Sequence, residues 1–207
     1  KNKWQVQAHD GDIILEYDVY AWDLSVRGAH LDQTHGYFNG ASLLLAVQGK
    51  ENALHQLNLL TPQCLSWRVA TTLAAVNIDK NGFGLYQAAN YLDLVDHPVE
   101  MADFTELSFS SGQTPHKMVI TGKHRADTQR LAEDLQKICQ AAINFWGDEQ
   151  PPFNQYLFQV MAVGNGYGGL EHRSSTSLLC SRDDLPLVTE PKQKISEKYK
   201  TFLGLCS

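Results

Sequence analysis

Alternating apolar and polar residues in the first half of the chain predict β-strands. Ile13, Leu15, Tyr17 and Val19 alternate with more polar neighbours, the pattern of a strand with one buried face. Similar short apolar patterns, bounded by turn residues, predict strands around Leu57 to Leu59, Trp67 to Thr71 and Lys117 to Thr121. Since no segment in this half has convincing helical spacing, the pattern predicts an antiparallel sandwich or a saddle-shaped sheet.

The hydrophobic pattern changes near Gly122. Asp127 is a good N-cap residue, and Gly147 stands where a left-handed residue would end a helix. Between them apolar residues repeat at helical spacing, at Leu131, Leu135, Ile138, Cys139, Ala142, Ile143 and Trp146. A central strand is predicted at 156–163, and a short amphipathic helix at 199–206. We therefore predict an α+β chain with a β-rich domain at 1–122 and a second domain at 123–207.

Composition excludes several classes of partner. The chain has 207 residues, 43% of them hydrophobic, and a formal net charge of −6. A negative charge disfavours binding to nucleic acid or to an anionic membrane. No apolar run approaches the roughly 20 residues that span a bilayer. The four cysteines form no C-x-x-C pair, so we expect buried, reduced thiols, which favour a cytoplasmic location: Cys64, Cys139, Cys180 and Cys206.

The stretch GNGYGGLEHRSST, residues 164–176, is the most distinctive segment of the chain. Gly164, Gly166 and Gly169 satisfy the G-x-G-x-x-G spacing of dinucleotide-binding loops. However, no helical pattern follows, and the carboxylate of Glu171 would repel a pyrophosphate. A hairpin loop explains the glycines but not Glu171. Small residues beside a carboxylate also suit an extended peptide, whose backbone pairs with a strand edge while its terminal ammonium meets the acid.

His30, Asp32 and His35 form a second candidate cluster, H-x-D-x-x-H. Histidine and aspartate are legitimate zinc ligands. The spacing fits neither one helical face nor one strand face for both histidines, so it favours polar residues of a surface loop over a metal site. No H-E-x-x-H motif occurs in the chain.

The segment from Gly168 to Thr176 (GGLEHRSST) closely resembles the signature of the glycyl aminopeptidase family of zinc metallopeptidases. Further segments resemble that family in the same order: 19–27 (VYAWDLSVR), 32–42 (DQTHGYFNGAS), 90–101 (NYLDLVDHPVEM), 182–186 (RDDLP) and 199–207 (YKTFLGLCS). The resemblance therefore covers nearly the whole chain.

This resemblance implies a β-rich N-terminal domain followed by the start of a thermolysin-like catalytic domain. It implies a zinc-dependent aminopeptidase that removes N-terminal residues, such as Gly or Ala, from peptides with a free N-terminus. Glu171 would bind the substrate ammonium, and backbone groups of Gly168 and Gly169 would bond the substrate main chain. His172 takes the place of an Asn in a related motif, and no role is assigned to it.

One departure from the family pattern affects the metal. In the family, the F-L-G-L-x-S sequence runs directly into H-E-x-x-H, whereas this chain ends at Ser207. We therefore expect an internal fragment without catalytic residues or zinc of its own, inactive alone, which could self-associate through the apolar face of 199–206. The alternative is a non-catalytic, β-rich peptide-binding module. The residues beyond Ser207 distinguish the two possibilities.

Overall fold

The computed structural model describes residues 3–7, 10–63, 66–147, 151–191 and 195–207. Its strands are β1 (Ala29–Leu31), β2 (His35–Phe38), β3 (His55–Leu59), β4 (Arg68–Ala70), β5 (Ala74–Ile78), β6 (Gly84–Ala88), β7 (Val99–Ala102), β8 (Thr105–Ser111), β9 (Thr114–Thr121), β10 (Tyr156–Val163), β11 (Tyr167–Glu171) and β12 (Ser175–Ser181). Its α-helices are α1 (Gly40–Leu43), α2 (Tyr91–Val95), α3 (Thr128–Trp146) and α4 (Glu197–Leu205).

The first half of the chain forms two antiparallel sheets, as the alternating pattern predicts. One has the strand order β1-β2-β7-β4 and the other the order β3-β6-β5. Aromatic and aliphatic side chains from both sheets and α2 share one core, which includes Phe38, Trp67, Phe83 and Tyr86. The first half is therefore β-rich with short helices.

The strand predicted at residues 13–19 is wrong. These residues form no strand, and Ile13 and Leu15 remain 59% and 57% exposed. Alternation shows only that a segment could bury one face. A strand also needs a neighbour for its backbone hydrogen bonds, and this segment pairs with no described strand. The Tyr17 hydroxyl donates to the Leu43 carbonyl oxygen at 2.9 Å.

The second half is built on a five-stranded mixed sheet with the order β11-β12-β10-β9-β8. Strand β10 lies parallel to both β9 and β12, whereas the β8–β9 and β11–β12 pairs are antiparallel. The predicted strand at 156–163 is confirmed as β10. Helices α3 and α4 cover one face of this sheet through a core that includes Leu131, Leu135, Tyr199 and Phe202.

The ends of helix α3 follow the sequence prediction. The Asp127 carboxylate accepts from the Arg130 backbone N–H at 3.0 Å, and Gly147 has the left-handed φ of 72°. In α4, Tyr199 and Phe202 are almost fully buried. These two residues therefore do not present the exposed apolar face on which the expectation of self-association relied. Self-association itself stays a prediction.

Three of the predicted buried thiols lie around the core beneath α3 and α4. Cys139, Cys180 and Cys206 are free thiols, and burial raises the pKa of Cys139 to about 11 and that of Cys180 to about 12. Cys64 lies outside the described residues. Within the described ranges, no helix combines the length and apolar character needed to cross a bilayer.

A division at residue 122 would separate β8 and β9 from the strands with which they pair, since both belong to the five-stranded sheet. The turn between β7 and β8 is where the chain passes from one sheet to the other. The proposed domain limits, 1–122 and 123–207, stay a prediction. The sheet topology favours an earlier division, near residue 103.

Buried polar side chains join the four-stranded and five-stranded sheets. The Gln159 amide donates to the carbonyl oxygens of Ala70 and Pro98, and Ser177 donates to Gln159 at 3.0 Å. Thr121 donates to the Glu100 carboxyl group at 2.9 Å. Burial raises the pKa of Glu100 to about 8, against the opposing effect of this hydrogen bond, so Glu100 stays protonated near neutral pH.

Candidate functional site

The glycine-rich segment forms an edge strand from Tyr167 onwards, whereas residues 164–166 connect β10 to this strand. Strand β11 lies at the end of the five-stranded sheet and pairs with β12 on one side. The His172 backbone N–H donates to the Ser175 carbonyl oxygen at 2.8 Å. This bond shows which residues of β11 direct their backbone groups towards β12. By the alternation of an antiparallel ladder, Leu170 and Gly168 also bond to β12, whereas the backbone groups of Gly169 and Glu171 point away from it.

The fold itself does not require glycine at 168 or 169. A Cβ atom at Gly168 would meet nothing within 4 Å, and one at Gly169 would make ordinary contacts with Leu178 at 3.4 Å. Neither residue has a positive φ. Gly166 differs, because a Cβ there would lie 2.6 Å from Val163. A methyl group would fit at either position, so packing within the chain does not account for Gly168 and Gly169.

Glu171 ends β11 with an exposed side chain. One carboxylate oxygen lies 3.6 Å from the position that a Cβ of Gly169 would take, and the Leu205 side chain of α4 lies 3.8 Å from the same position. No hydrogen bond or ion pair engages this carboxylate within the part of the chain that the structure describes. Its negative charge adds to the effect of burial in raising the pKa of Tyr156 to about 12.

The residues just after Glu171 are attached to the first half of the chain. The Nδ1 atom of His172 lies 3.3 Å from Asp96 Oδ1, and the backbone N–H of Arg173 donates to Asp96 Oδ2 at 3.2 Å. Asp96 is the C-terminal cap of α2. Burial lowers the pKa of His172, with Asp96 opposing the shift. This contact fixes the end of β11, and it supplies a structural role for His172.

Arg173 and Ser174 make further contacts with the first half of the chain. The Arg173 guanidinium lies 3.7 Å from Asp93, and the Asp93 carboxylate also lies 3.6 Å from His97. Ser174 donates to Thr72 at 3.0 Å. An open cleft of about 550 Å³ is lined by Arg173 and Ser174 together with residues of β5 and α2's end, and Glu171 lies outside its lining.

The described residues do not supply a zinc site beside Glu171. Among them, the one group of His, Cys, Asp or Glu side chains that could hold a metal ion is His30, Asp32 and His35. Ser177 shares a small cavity with His30 and His35. Ser177 therefore faces the histidines, and its partner Leu170 lies on the same face of the sheet. Glu171 is the next residue along β11, so its side chain lies on the opposite face.

The cluster of His30, Asp32 and His35 shows what the sequence analysis missed. The antiparallel β1–β2 pair places both histidines on one face, and Asp32 lies in the connecting turn. The interpretation as polar residues of a surface loop is therefore wrong for the two histidines, which are buried in strands. The spacing was compared with a single helix or strand and not with a hairpin. Likewise, Asp96 and His172 are 76 positions apart, and no local sequence signal connects them.

Comparison with known proteins shows that the first half of the chain resembles a domain of peptidases. Residues 1–103 match the family model of the Peptidase M61 N-terminal domain. The first half of the chain is therefore similar to the N-terminal domain of a peptidase family. The end of this match coincides with the passage between the two sheets near residue 103.

A solved structure extends the similarity to most of the chain. An aminopeptidase N family protein from Idiomarina loihiensis has 44% sequence identity and a TM-score of 0.86, over 91% of this chain and 32% of that chain. The chain thus spans about a third of that relative's length. An M1 zinc metallopeptidase from Deinococcus radiodurans, at 12% identity and a TM-score of 0.47 over 78% of this chain and 39% of that chain, is too dissimilar to carry an argument. No curated protein matches the chain.

Proposed function

We propose that this chain is part of a zinc-dependent aminopeptidase and that it carries the anchor for the substrate's free amine. The observation that carries the proposal is the unpaired Glu171 carboxylate at the end of an edge strand. The similarity to a peptidase N-terminal domain and to an aminopeptidase N family protein supports the same class. By the family resemblance, the residues removed are small ones, such as Gly or Ala.

A carboxylate at this place suits the chemistry of a peptide N-terminus. The α-amino group has a pKa near 8, so it is largely an ammonium at neutral pH. An ion pair with Glu171 would fix where the substrate begins. Without such an anchor, a peptidase would bind the middle of a chain as readily as its end.

The edge of β11 suits the substrate's backbone. An extended peptide adds to an exposed strand edge through main-chain hydrogen bonds. The outward-pointing backbone groups of Gly169 and Glu171 are available for this, and Gly169 has no side chain to obstruct a neighbouring backbone. Gly168 takes the supporting role of bonding to β12. We therefore propose that Gly169, more than Gly168, makes the main-chain hydrogen bonds to the substrate.

The zinc of the intact enzyme would be held by residues beyond those described. The Leu205 side chain of α4 lies beside Gly169, so α4 leads the chain towards the Glu171 face of the sheet. Within this chain, the roles left to its residues are binding and orientation of the substrate. Cleavage itself depends on the metal ligands that the family resemblance places after 199–207.

A non-catalytic peptide-binding module is the second candidate. The edge strand and the carboxylate support it, because together they would suffice to hold a peptide. The two functions separate in a simple assay of the longer protein. An aminopeptidase releases Gly or Ala from peptides with a free N-terminus, and a metal chelator stops the release. A binding module retains the peptide uncut.

A further inference from the structure

We propose that His30, Asp32 and His35 form a binding site for a divalent transition metal ion such as Zn²⁺, separate from the amine anchor. The nearest available donor atoms of the three side chains all lie within 4.8 Å of one another. Two imidazoles and one carboxylate are a common ligand set for zinc, with one position left open. This site departs from the sequence-based expectation that the chain holds no metal.

Hydrogen bonds within the β1–β2 turn hold the Asp32 side chain in place. Asp32 Oδ1 accepts hydrogen bonds from the backbone N–H of Thr34 at 2.6 Å and of His35 at 3.1 Å. The Thr34 hydroxyl donates to the same oxygen at 2.7 Å. These bonds fix the carboxylate with Oδ1 3.7 Å from His35 Nδ1, and the Asp32 side chain is 32% exposed.

The histidines are buried with unused polar atoms. His30 and His35 are 5% and 1% exposed, yet within the described residues the Nδ1 atom of each is buried without a hydrogen-bond partner. The Nδ1 atom of His35 lies 3.7 Å from Asp32 Oδ1, beyond hydrogen-bonding distance. Buried polar groups are normally satisfied, so two adjacent unsatisfied nitrogens need an explanation. A metal ion coordinated by both would satisfy them together. The Asp32 charge would offset part of the charge that the ion brings.

The geometry requires a modest rearrangement on binding. A tetrahedral ion about 2.1 Å from each donor separates the donors by roughly 3.4 Å, so the widest present gap must close by roughly 1.4 Å. The two imidazole rings are stacked, with centroids 4.7 Å apart and planes 14° apart. At least one ring must therefore turn about its Cβ–Cγ bond, and the small cavity lined by Tyr37 and Leu178 lies beside both rings.

Zinc content tests the proposal directly. The chain is stripped with EDTA, exchanged into chelator-free buffer and titrated with ZnCl₂, and bound zinc is measured after gel filtration. We expect one equivalent per chain. Substitution of residues that merely hydrogen-bond to metal ligands weakens metal binding by about 10- to 100-fold. His35→Gln and Asp32→Asn remove ligands themselves, so each should weaken zinc binding by at least about 100-fold. Substitution of Co²⁺ should give a visible absorption band that both variants lose.

The control variant is His55→Gln, because His55 lies in a different sheet from the cluster and its ring contacts the Ala53 carbonyl oxygen and the Tyr91 ring. It should bind zinc as the unmodified chain does. Asp32→Asn preserves an acceptor for the turn, so it should fold even if His35→Gln does not, and it then decides the question. Less than stoichiometric zinc in the unmodified chain, or full binding by Asp32→Asn, would overturn the proposal.

Discussion

At the scale of single residues, the glycines of 164–169 have different tasks. Gly166 is needed for packing, because a Cβ there would lie 2.6 Å from Val163 and 3.0 Å from Leu179. Gly169 is not needed for packing. A glycine that the fold does not require, beside an unpaired carboxylate on a strand edge, is best explained by a ligand that approaches the backbone.

Two alanine substitutions distinguish the packing role of Gly166 from the proposed ligand-binding role of Gly169. Gly169→Ala should leave the free energy of unfolding within about 0.5 kcal/mol of its original value, since its methyl group makes ordinary contacts. In the longer protein it should lower kcat/KM at least about tenfold, because the methyl group enters the substrate's space 3.6 Å from Glu171. Gly166→Ala should instead cost roughly 1–3 kcal/mol of stability. Denaturant unfolding and aminoacyl-anilide hydrolysis check both, and a Gly169→Ala enzyme of full activity would contradict the assignment.

Glu100 gives a pH-dependent prediction. Burial raises its pKa from an ordinary value of 4.5 to about 8 in the folded chain, so its contribution to stability is present below pH 4.5 and is lost as the pH rises to 8. The free energy of unfolding should fall by roughly 3 kcal/mol between pH 5 and pH 8 on account of this group. Glu100→Gln should remove most of that fall.

The measurement is urea unfolding at several pH values in EDTA, so that metal binding does not contribute. Glu16→Gln, at an exposed position, is the control and should keep the original pH dependence. If Glu100→Gln and Glu16→Gln have the same pH dependence, the buried carboxyl group is not protonated at neutral pH.

At the scale of elements, the contact between α2 and the end of β11 links the two halves of the chain. Asp96 binds both the His172 ring and the Arg173 backbone. Because Glu171 directly precedes these residues, the position of its carboxylate depends on this contact. We therefore regard Asp96 and His172 as positioning residues for the amine anchor.

Asp96→Asn tests this role in the longer protein. It should lower kcat/KM for substrates with a free amine by about tenfold, which corresponds to the loss of one hydrogen bond to a charged group. N-acetylated substrates should lose little, and the Asp96→Asn/Glu171→Gln double variant should be no worse than Glu171→Gln alone. Asp103→Asn, at an exposed site, is the control. Equal losses for both kinds of substrate would show that Asp96 has only a general structural role.

The elements differ in how far the sequence alone could predict them. Helix α3 was predictable, because Asp127, Gly147 and the apolar spacing all act locally. Strand β10 was predictable from its continuous apolar run. The segment at 13–19 was not, because strand formation depends on a partner elsewhere in the chain. The same limit applies to the site: Glu171 is visible in the sequence, whereas its attachment to Asp96 depends on tertiary structure.

At the scale of the whole molecule, the five-stranded sheet separates two faces with different chemistry. One face carries Gly169 and Glu171 near α4, and the other carries Ser177 above the buried polar cluster of His30 and His35. The proposed metal site and the proposed amine anchor are therefore independent, and each can be removed without the other.

Binding of the substrate's free amine by Glu171 can be tested with Glu171→Gln in the longer protein. The substitution keeps the shape of the side chain and removes its charge. Loss of one partner from a desolvated charged pair costs about 2–4 kcal/mol, so kcat/KM for glycyl and alanyl anilides should fall roughly 30- to 1000-fold.

The same variant must be measured on N-acetylated anilides and for zinc content, with Glu16→Gln as the matched control. Acetylated substrates, which carry no ammonium, should be poor for the unmodified enzyme and lose little further activity with Glu171→Gln. Zinc content should not change, because Glu171 is not expected to be a metal ligand. Equal losses on free and acetylated substrates, or loss of zinc with Glu171→Gln, would contradict the account.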